Sequence, residues 1–232
     1  MAYAPSRARA DCDLRLGELR RIGVSASARG VSFDIRQAAL QGVIAQMHSA
    51  LEEYFRRVIE DWLRALHLLG MTSGTIPLRL RTWYAHQPFF DEYKYYSYQA
   101  NEQRFLDATS VSAYDLAYFS AGNPLPATTA ADGLIGTSGY PSEKNIKRVF
   151  SRIGIVDTNA YLSRKLGISL HLFMEAVSAT RGSVTHKNAP ILVRSDILSF
   201  ENKISRLVRW LDHRLRKEII ASSSSAVWAQ MR

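Results

Sequence analysis

Apolar residues recur at steps of three and four between positions 34 and 69: Leu40, Val43, Met47, Leu51, Tyr54, Val58, Trp62, Leu66 and Leu69 share one side of a helical period. The spacing predicts a single long amphipathic helix from Asp34 to Leu69, with Ser32 or Asp34 capping its start and Gly70 where it should stop. At about 1.5 Å per residue such a rod is over about 50 Å long, unless Gly42 bends or breaks it early. Residues 12–24 carry a shorter leucine and isoleucine pattern suited to pack against it.

Between about 72 and 140 the pattern is lost. This stretch holds most of the tyrosines, among them Tyr84, Tyr93, Tyr95, Tyr96, Tyr98, Tyr114 and Tyr118, and it ends in AGNPLPATTAADGLIGTSGYP, whose Gly and Pro residues oppose long regular structure. It reads as an irregular, aromatic-rich insertion with one or two short helices, the best candidate being 99–119. An insertion of that length in a compact domain is usually functional.

Helical periodicity returns at Ser142, an N-cap for Ile146, Val149, Phe150 and Ile153, with Gly154 as the stop. Asp157 or Thr158 starts a short helix ending at Gly167. Ser169 to about Arg181 forms another, with Leu170, Phe173, Met174 and Val177 as its apolar stripe. After a loop at 188–193, Ser195 caps a final helix buried along Ile197, Phe200, Ile204, Leu207, Leu211, Leu215 and Ile219. The tail from about 221 to 232 should be frayed. Strand alternation and internal repeats are both missing. The expected fold is an all-α helical bundle, one domain over 1–232, with the insertion between the long second helix and the C-terminal helices.

Composition adds a soluble globular character, with 47% hydrophobic and 22% charged residues. The lone Cys12 excludes an internal disulfide framework and a Cys-rich zinc module, and fits a reducing cytoplasm. The charge-broken start, MAYAPSRARADCDLRLGELRR, predicts no secretion, and the lack of an 18-residue uncharged apolar run predicts no membrane span. Thirty Lys and Arg against 21 Asp and Glu give a formal charge of +9, which suggests an anionic partner or serves only solubility.

Several chemistries are unsupported. There is no phosphate-binding Gly-x-x-x-x-Gly-Lys loop, no Gly-x-Gly-x-x-Gly fingerprint and no His-Glu-x-x-His pair, and GTSGY at 136–140 is not a nucleophile elbow. His48, His67, His86, His171, His186 and His213 lack metal-ligand spacing, so neither metal nor cofactor is expected. One short element remains, ATRGSVTHKNAP, in which Arg181 precedes His186 by five residues. On an unbroken helix the two would lie about 140° apart. A break at Gly182 would let them converge. An imidazole can take the proton from a ribose 2′-hydroxyl, or give one to a leaving oxygen, while a guanidinium holds the non-bridging phosphate oxygens as charge builds. RNA brings its own nucleophile, so such a pair needs neither metal nor protein nucleophile.

This Arg-x-x-x-x-His element, the Leu51-Glu52-x-Tyr54 run on the long helix and the segment YPSEKNIKRVFSRIGI together resemble the HEPN superfamily. In particular they look like its large-insert RiboL-PSP and MAE-type branch, found in prokaryotic toxin–antitoxin and phage-defence systems. The resemblance covers about residues 12–220 and its specific part is six residues long. It implies a metal-independent endoribonuclease that leaves a 2′,3′-cyclic phosphate, with a composite site across a symmetric homodimer, RNA as substrate and an antitoxin as a further protein partner. Arg181 and His186 carry over as the catalytic pair. Gly182 stands where the family often has Asn, Asp or His, and the alternative is a catalytically inactive HEPN-like module that binds RNA or protein.

Glu52 lies at the border of the buried stripe, about 100° from Leu51, and is the carboxylate best placed to orient the pair. Its bland role is an i,i+4 pair with Arg56, as Glu53 with Arg57. Lys187 and Asn188 are candidate RNA contacts beside His186. The YKYYSY run at 93–98 could stack bases or pack the insertion onto its domain. The last helix carries Lys203, Arg206, Arg209, Arg214, Arg216 and Lys217 against Glu201, Asp212 and Glu218, an RNA-facing stripe or a solvated face.

Overall fold

A computed structural model describes residues 3–28, 30–99, 101–110, 122–125, 131–135, 141–185 and 191–232, without the side chains of 85–88, 91, 132 and 180–185. The described residues are all-helical, and the single β contact among them is an isolated bridge between Thr72 and Pro124.

The centre of the fold is α2, Phe33–Leu68, a 36-residue helix that passes through Gly42 without interruption. Gly42 has no neighbour within 4 Å of where a Cβ would sit. The expected stripe is buried from Leu40 to Leu66, and so is a second one made by Ile44, His48, Phe55, Ile59 and Leu63. Leu69, expected to join the first, is exposed beyond the helix end. Burial on two stripes follows from what surrounds the rod: α1 (Arg7–Ala26) on one side, and α8 (Leu170–Thr185) and α9 (Arg194–Ser222) on others. Trp62, Tyr54 and Phe55 are almost fully enclosed, each a burial of about 1.5–3 kcal/mol for an aromatic or large aliphatic side chain.

The reading of 72–140 as irregular is corrected over its first part. Leu78–Gln99 forms α3, a 22-residue helix that includes the whole YKYYSY run, and residues 102–110 form α4. Among the described residues the aromatic side chains do not gather into one cluster: Tyr93 and Tyr98 are exposed, while Tyr96 meets Phe105 with ring centroids 5.2 Å apart and Arg104 lies 3.7 Å over Tyr95; Tyr114 and Tyr118 lie outside the described residues. The first turns of α3 anchor it, through buried Leu80 and through Trp83 under the guanidinium of Arg152 at 3.9 Å. Residues 122–125 return to the start of the insertion, where Ser73 N–H donates to the Asn123 carbonyl at 2.8 Å.

A short α5, Ala131–Ile135, ends against α6, Glu143–Arg152, whose Arg148 and Arg152 donate to the carbonyls of Ile135 and Leu134 at 2.7 and 2.6 Å. The Ser142 hydroxyl caps α6 by accepting from Asn145 N–H at 3.2 Å. Next, α7 spans Thr158–Leu166 and stops at Gly167, whose φ of 73° suits a residue without a Cβ. The start of α9 is two residues earlier than Ser195 suggested: Val193 is the N-cap, and its N–H donates to Asp196 at 2.8 Å.

The tail is not frayed. After α9 the chain forms α10, Ser225–Gln230, which buries Val227, Trp228 and Met231. Trp228 Nε1 donates to the Ala4 carbonyl at 3.1 Å, and Arg7 N–H donates to the Met231 carbonyl at 2.8 Å, so the two ends of the described chain hold one another. No described helix is long and apolar enough to cross a membrane.

Candidate functional site

Arg181 sits near the end of α8. That helix buries Leu170, Phe173, Met174 and Val177 and packs on α2, α6 and α7. It remains helical through Gly182 and ends at Thr185, so the expected break at Gly182 is absent. A helical glycine costs about 1 kcal/mol relative to alanine, which is too little to interrupt a helix already held along one side. Position 181 is eleven residues after Leu170, seven after Met174 and four after Val177 on this helix. His186, Lys187 and Asn188 lie outside the described residues.

Glu52 is half-buried on α2. The face of α2 that meets α1 is marked by Ala50, whose carbonyl receives the Cys12 thiol at 3.7 Å, and by Arg57, 3.0 Å from Asp11. Glu52 is about 160° away from Ala50 on the same helix. It shares its side with His48, whose ring lies 4.8 Å from that of Phe200 on α9, and with Phe55, stacked on Phe150 of α6 at 6.4 Å. Nearby, Arg56 reaches Glu53 at 3.7 Å and Glu60 at 3.9 Å, while Glu53 also meets Arg57 at 3.8 Å as the i,i+4 rule predicts.

A cleft of about 360 Å³ opens between α1 and α2, lined in part by Cys12, Gln46, Glu53 and Arg57. Among the described side chains, Glu52 is not part of its lining. Burial pushes the Cys12 thiol up to about 12, so it is a packed hydrophobe at neutral pH and not a nucleophile.

A second concentration of chemistry lies where α7 runs along α9; its cations were legible in the sequence as a stripe on the last helix, its partners on α7 were not. His213 Nδ1 is 3.1 Å from the Tyr161 hydroxyl, and its ring meets Trp210 edge-on at 5.9 Å and Tyr3 at 5.2 Å. Lys165 Nζ stands 4.7 Å over the Trp210 ring, and the Arg209 guanidinium lies 5.2 Å from the same ring. Burial, then the charges of Lys217, Arg216, Lys165 and Arg209, hold the His213 imidazole below its usual range. The signal available in sequence was the i,i+3 and i,i+4 spacing of Arg206, Arg209, Trp210, His213 and Lys217. What it lacked was Lys165 and Tyr161, which only the packing of α7 supplies.

Among the described residues no three His, Cys, Asp or Glu side chains are arranged to hold a metal ion. No family model, no curated protein and no solved structure matches this chain. The class its fold defines is therefore an all-helical protein built around one central rod.

Proposed function

We propose that this protein is a metal-independent endoribonuclease of the HEPN type, a toxin or defence effector of a prokaryotic cytoplasm, acting as a homodimer. The observation that supports the reading is the packing of α8 on α2: the helix that bears Arg181 lies against the helix that bears Glu52. In this reading Arg181 and His186, five residues further on, act as one pair.

Arg181 holds the scissile phosphate by a charge-assisted fork. His186, as a neutral imidazole, takes the proton of the ribose 2′-hydroxyl. The 2′-oxygen bonds to phosphorus, the bond from phosphorus to the 5′-oxygen breaks, and a protonated imidazole, supplied by the second pair of the dimer, returns a proton to the leaving oxygen. The products are a 2′,3′-cyclic phosphate and a 5′-hydroxyl. Glu52 is assigned as a positioning residue for the pair, and Lys187 and Asn188 as RNA contacts. An antitoxin protein would be the natural restraint on such an activity.

The test is cleavage of structured RNA in EDTA by the wild type, Arg181→Ala and His186→Ala. Loss of a positioned acid or base lowers the rate by about 10² to 10⁴. A wild type that cuts nothing, or variants that cut as fast as wild type, would overturn the assignment.

A further inference from the structure

The strip along α9 from Arg206 to Lys217 is cationic, and α7 extends it. Arg206, Arg209, His213 and Lys217 follow one another at intervals of three and four, so they run in file for about 16 Å along the helix. Arg209 and Lys217 are exposed. Arg206 is exposed too, and it is steadied by donating to the Leu166 carbonyl at the end of α7 at 2.7 Å. Lys165 Nζ of α7 stands 4.7 Å over the ring of Trp210, which is half-buried against the core. The acidic groups of this neighbourhood are already engaged: Asp157 and Glu218 both pair with Arg214, at 2.9 and 3.6 Å, and Asp212 is buried beneath Tyr3 and Ser6.

The result is a row of cations with an indole and an imidazole set into it. Evenly spaced positive charge beside an aromatic platform fits a flexible strand that presents phosphates at regular intervals and bases between them. It fits an acidic polypeptide less well, since that offers no bases to stack on Trp210.

We infer that the α7–α9 strip centred on Trp210 and His213 is a binding surface for single-stranded RNA, with Lys165, Arg206, Arg209 and Lys217 on the phosphates and Trp210 against a base. RNA is chosen over DNA on the strength of the ribonuclease reading; the strip as a phosphate-binding surface does not depend on it. His213 is the internal reporter. Lys165 and Tyr161 of α7, Tyr3 of the N-terminal segment with Arg9 of α1 behind it, and Arg209, Arg216 and Lys217 of α9 are the groups that face it. Neutralising the cations with bound phosphate removes their repulsion of its proton, so its titration moves up on binding.

The experiment uses the full chain carrying His186→Ala, so that no cleavage consumes the probe. Binding of a fluorescent oligouridylate of about 12 nucleotides is followed by anisotropy from about 50 to about 200 mM salt. The triple variant Lys165→Gln/Arg209→Gln/Lys217→Gln should bind at least about 10-fold more weakly at about 100 mM salt, with a log–log salt slope reduced by about 2, since each phosphate contact contributes about 0.7. A control with the same charge change on α2 and α3, Arg56→Gln/Arg64→Gln/Arg79→Gln, should bind as the parent does. Circular dichroism confirms that each variant is folded, and the His213 imidazole resonance should titrate at higher pH with the oligonucleotide present. The inference is overturned by a parent that does not bind, by equal weakening in both triple variants, or by polyglutamate competing as well as RNA at equal charge. Equal affinity for oligothymidylate keeps the strip and removes the choice of RNA. A wild type that cleaves no RNA while the parent binds the oligonucleotide strikes only the ribonuclease reading, and a wild type that cleaves while the parent does not bind strikes only the strip.

Discussion

The hydroxyl of Tyr3 donates to the buried carboxylate of Asp212 at 2.5 Å, joining residues 209 positions apart. Ser6 adds a second hydroxyl and its backbone N–H, the latter at 3.2 Å, to the same carboxylate, while its hydroxyl also accepts from Arg9 N–H to cap α1. One buried group on α9 therefore fixes where the first helix begins, and with it the place of Tyr3 beside His213.

Removing that group should loosen the whole N-terminal contact. Asp212→Ala leaves two hydroxyls and a backbone N–H without their acceptor, and we expect a loss of about 2–4 kcal/mol in chemical denaturation. Its pH dependence has a definite sign. Burial raises the Asp212 carboxyl above 3.8, against the lowering influence of the Ser6 and Tyr3 hydrogen bonds. The folded chain therefore takes up this proton at higher pH than the unfolded chain, and the carboxyl favours folding increasingly as pH falls through its folded value. Asp212→Asn should flatten that part of the stability profile.

Asp157 supplies the opposite slope. The hydrogen bond from Arg214 lowers its carboxyl below 3.8. Its contribution is present above the unfolded value and is lost as pH falls through the folded one. Because its side chain is 53% exposed, solvent screening limits the pair to about 0.2–1 kcal/mol, to be measured by a double-mutant cycle of Asp157→Asn and Arg214→Gln.

Three glycines in helices should respond differently to substitution. A Cβ on Gly23 would lie 3.0 Å from Ile197 Cγ2, in the contact between α1 and α9. Gly23→Val should therefore cost about 1–3 kcal/mol by overpacking. Gly17 and Gly42 have open space, and replacing either by alanine should stabilise by about 0.5–1 kcal/mol. Thermal melts of the three variants decide the matter; a stabilising Gly23→Val would mean that α1 and α9 are not in close contact.

Glu52 gives a test of positioning. If it orients His186, Glu52→Gln should slow RNA cleavage by about 10-fold. Losing the anionic neighbour should also move the imidazole's limb of the pH–rate profile to lower pH. A purely structural role would alter the melting temperature and leave that profile in place.

His213 should be neutral at pH 7 and should titrate below its ordinary 6.5 in the free protein. Between the folded value and 6.5 the unfolded chain binds more protons, so stability from this residue falls as pH drops through that window and levels off below it. His213→Gln should abolish that step, and Lys217→Glu should raise the titration midpoint seen by NMR.

Features set by near neighbours were readable in the chain. Ser142 as a cap, Gly154 and Gly167 as stops and the stripe of α2 depend on residues within a few positions, so hydrogen-bonding capacity and the 3.6-residue period determine them. The burial of His48 and Phe55 on a second side of α2 was not readable, because it depends on Phe200 and Phe150, which lie 152 and 95 residues away in sequence. Nor was the tail, where small residues and serines suggest fraying until Trp228 finds the Ala4 carbonyl.

For the candidate chemistry, the sequence by itself supplied the residue types: Arg181 with His186, Glu52, and the cations of the last helix. Tertiary structure decided that α8 continues through Gly182, that Glu52 is on the side of α2 turned away from α1, and that Lys165 and Tyr161 join Trp210 and His213. The physical reason is common to all three. A helix period fixes which residues share a face, but only packing between helices fixes what that face meets, and a charge or an imidazole acquires its chemistry from what it meets.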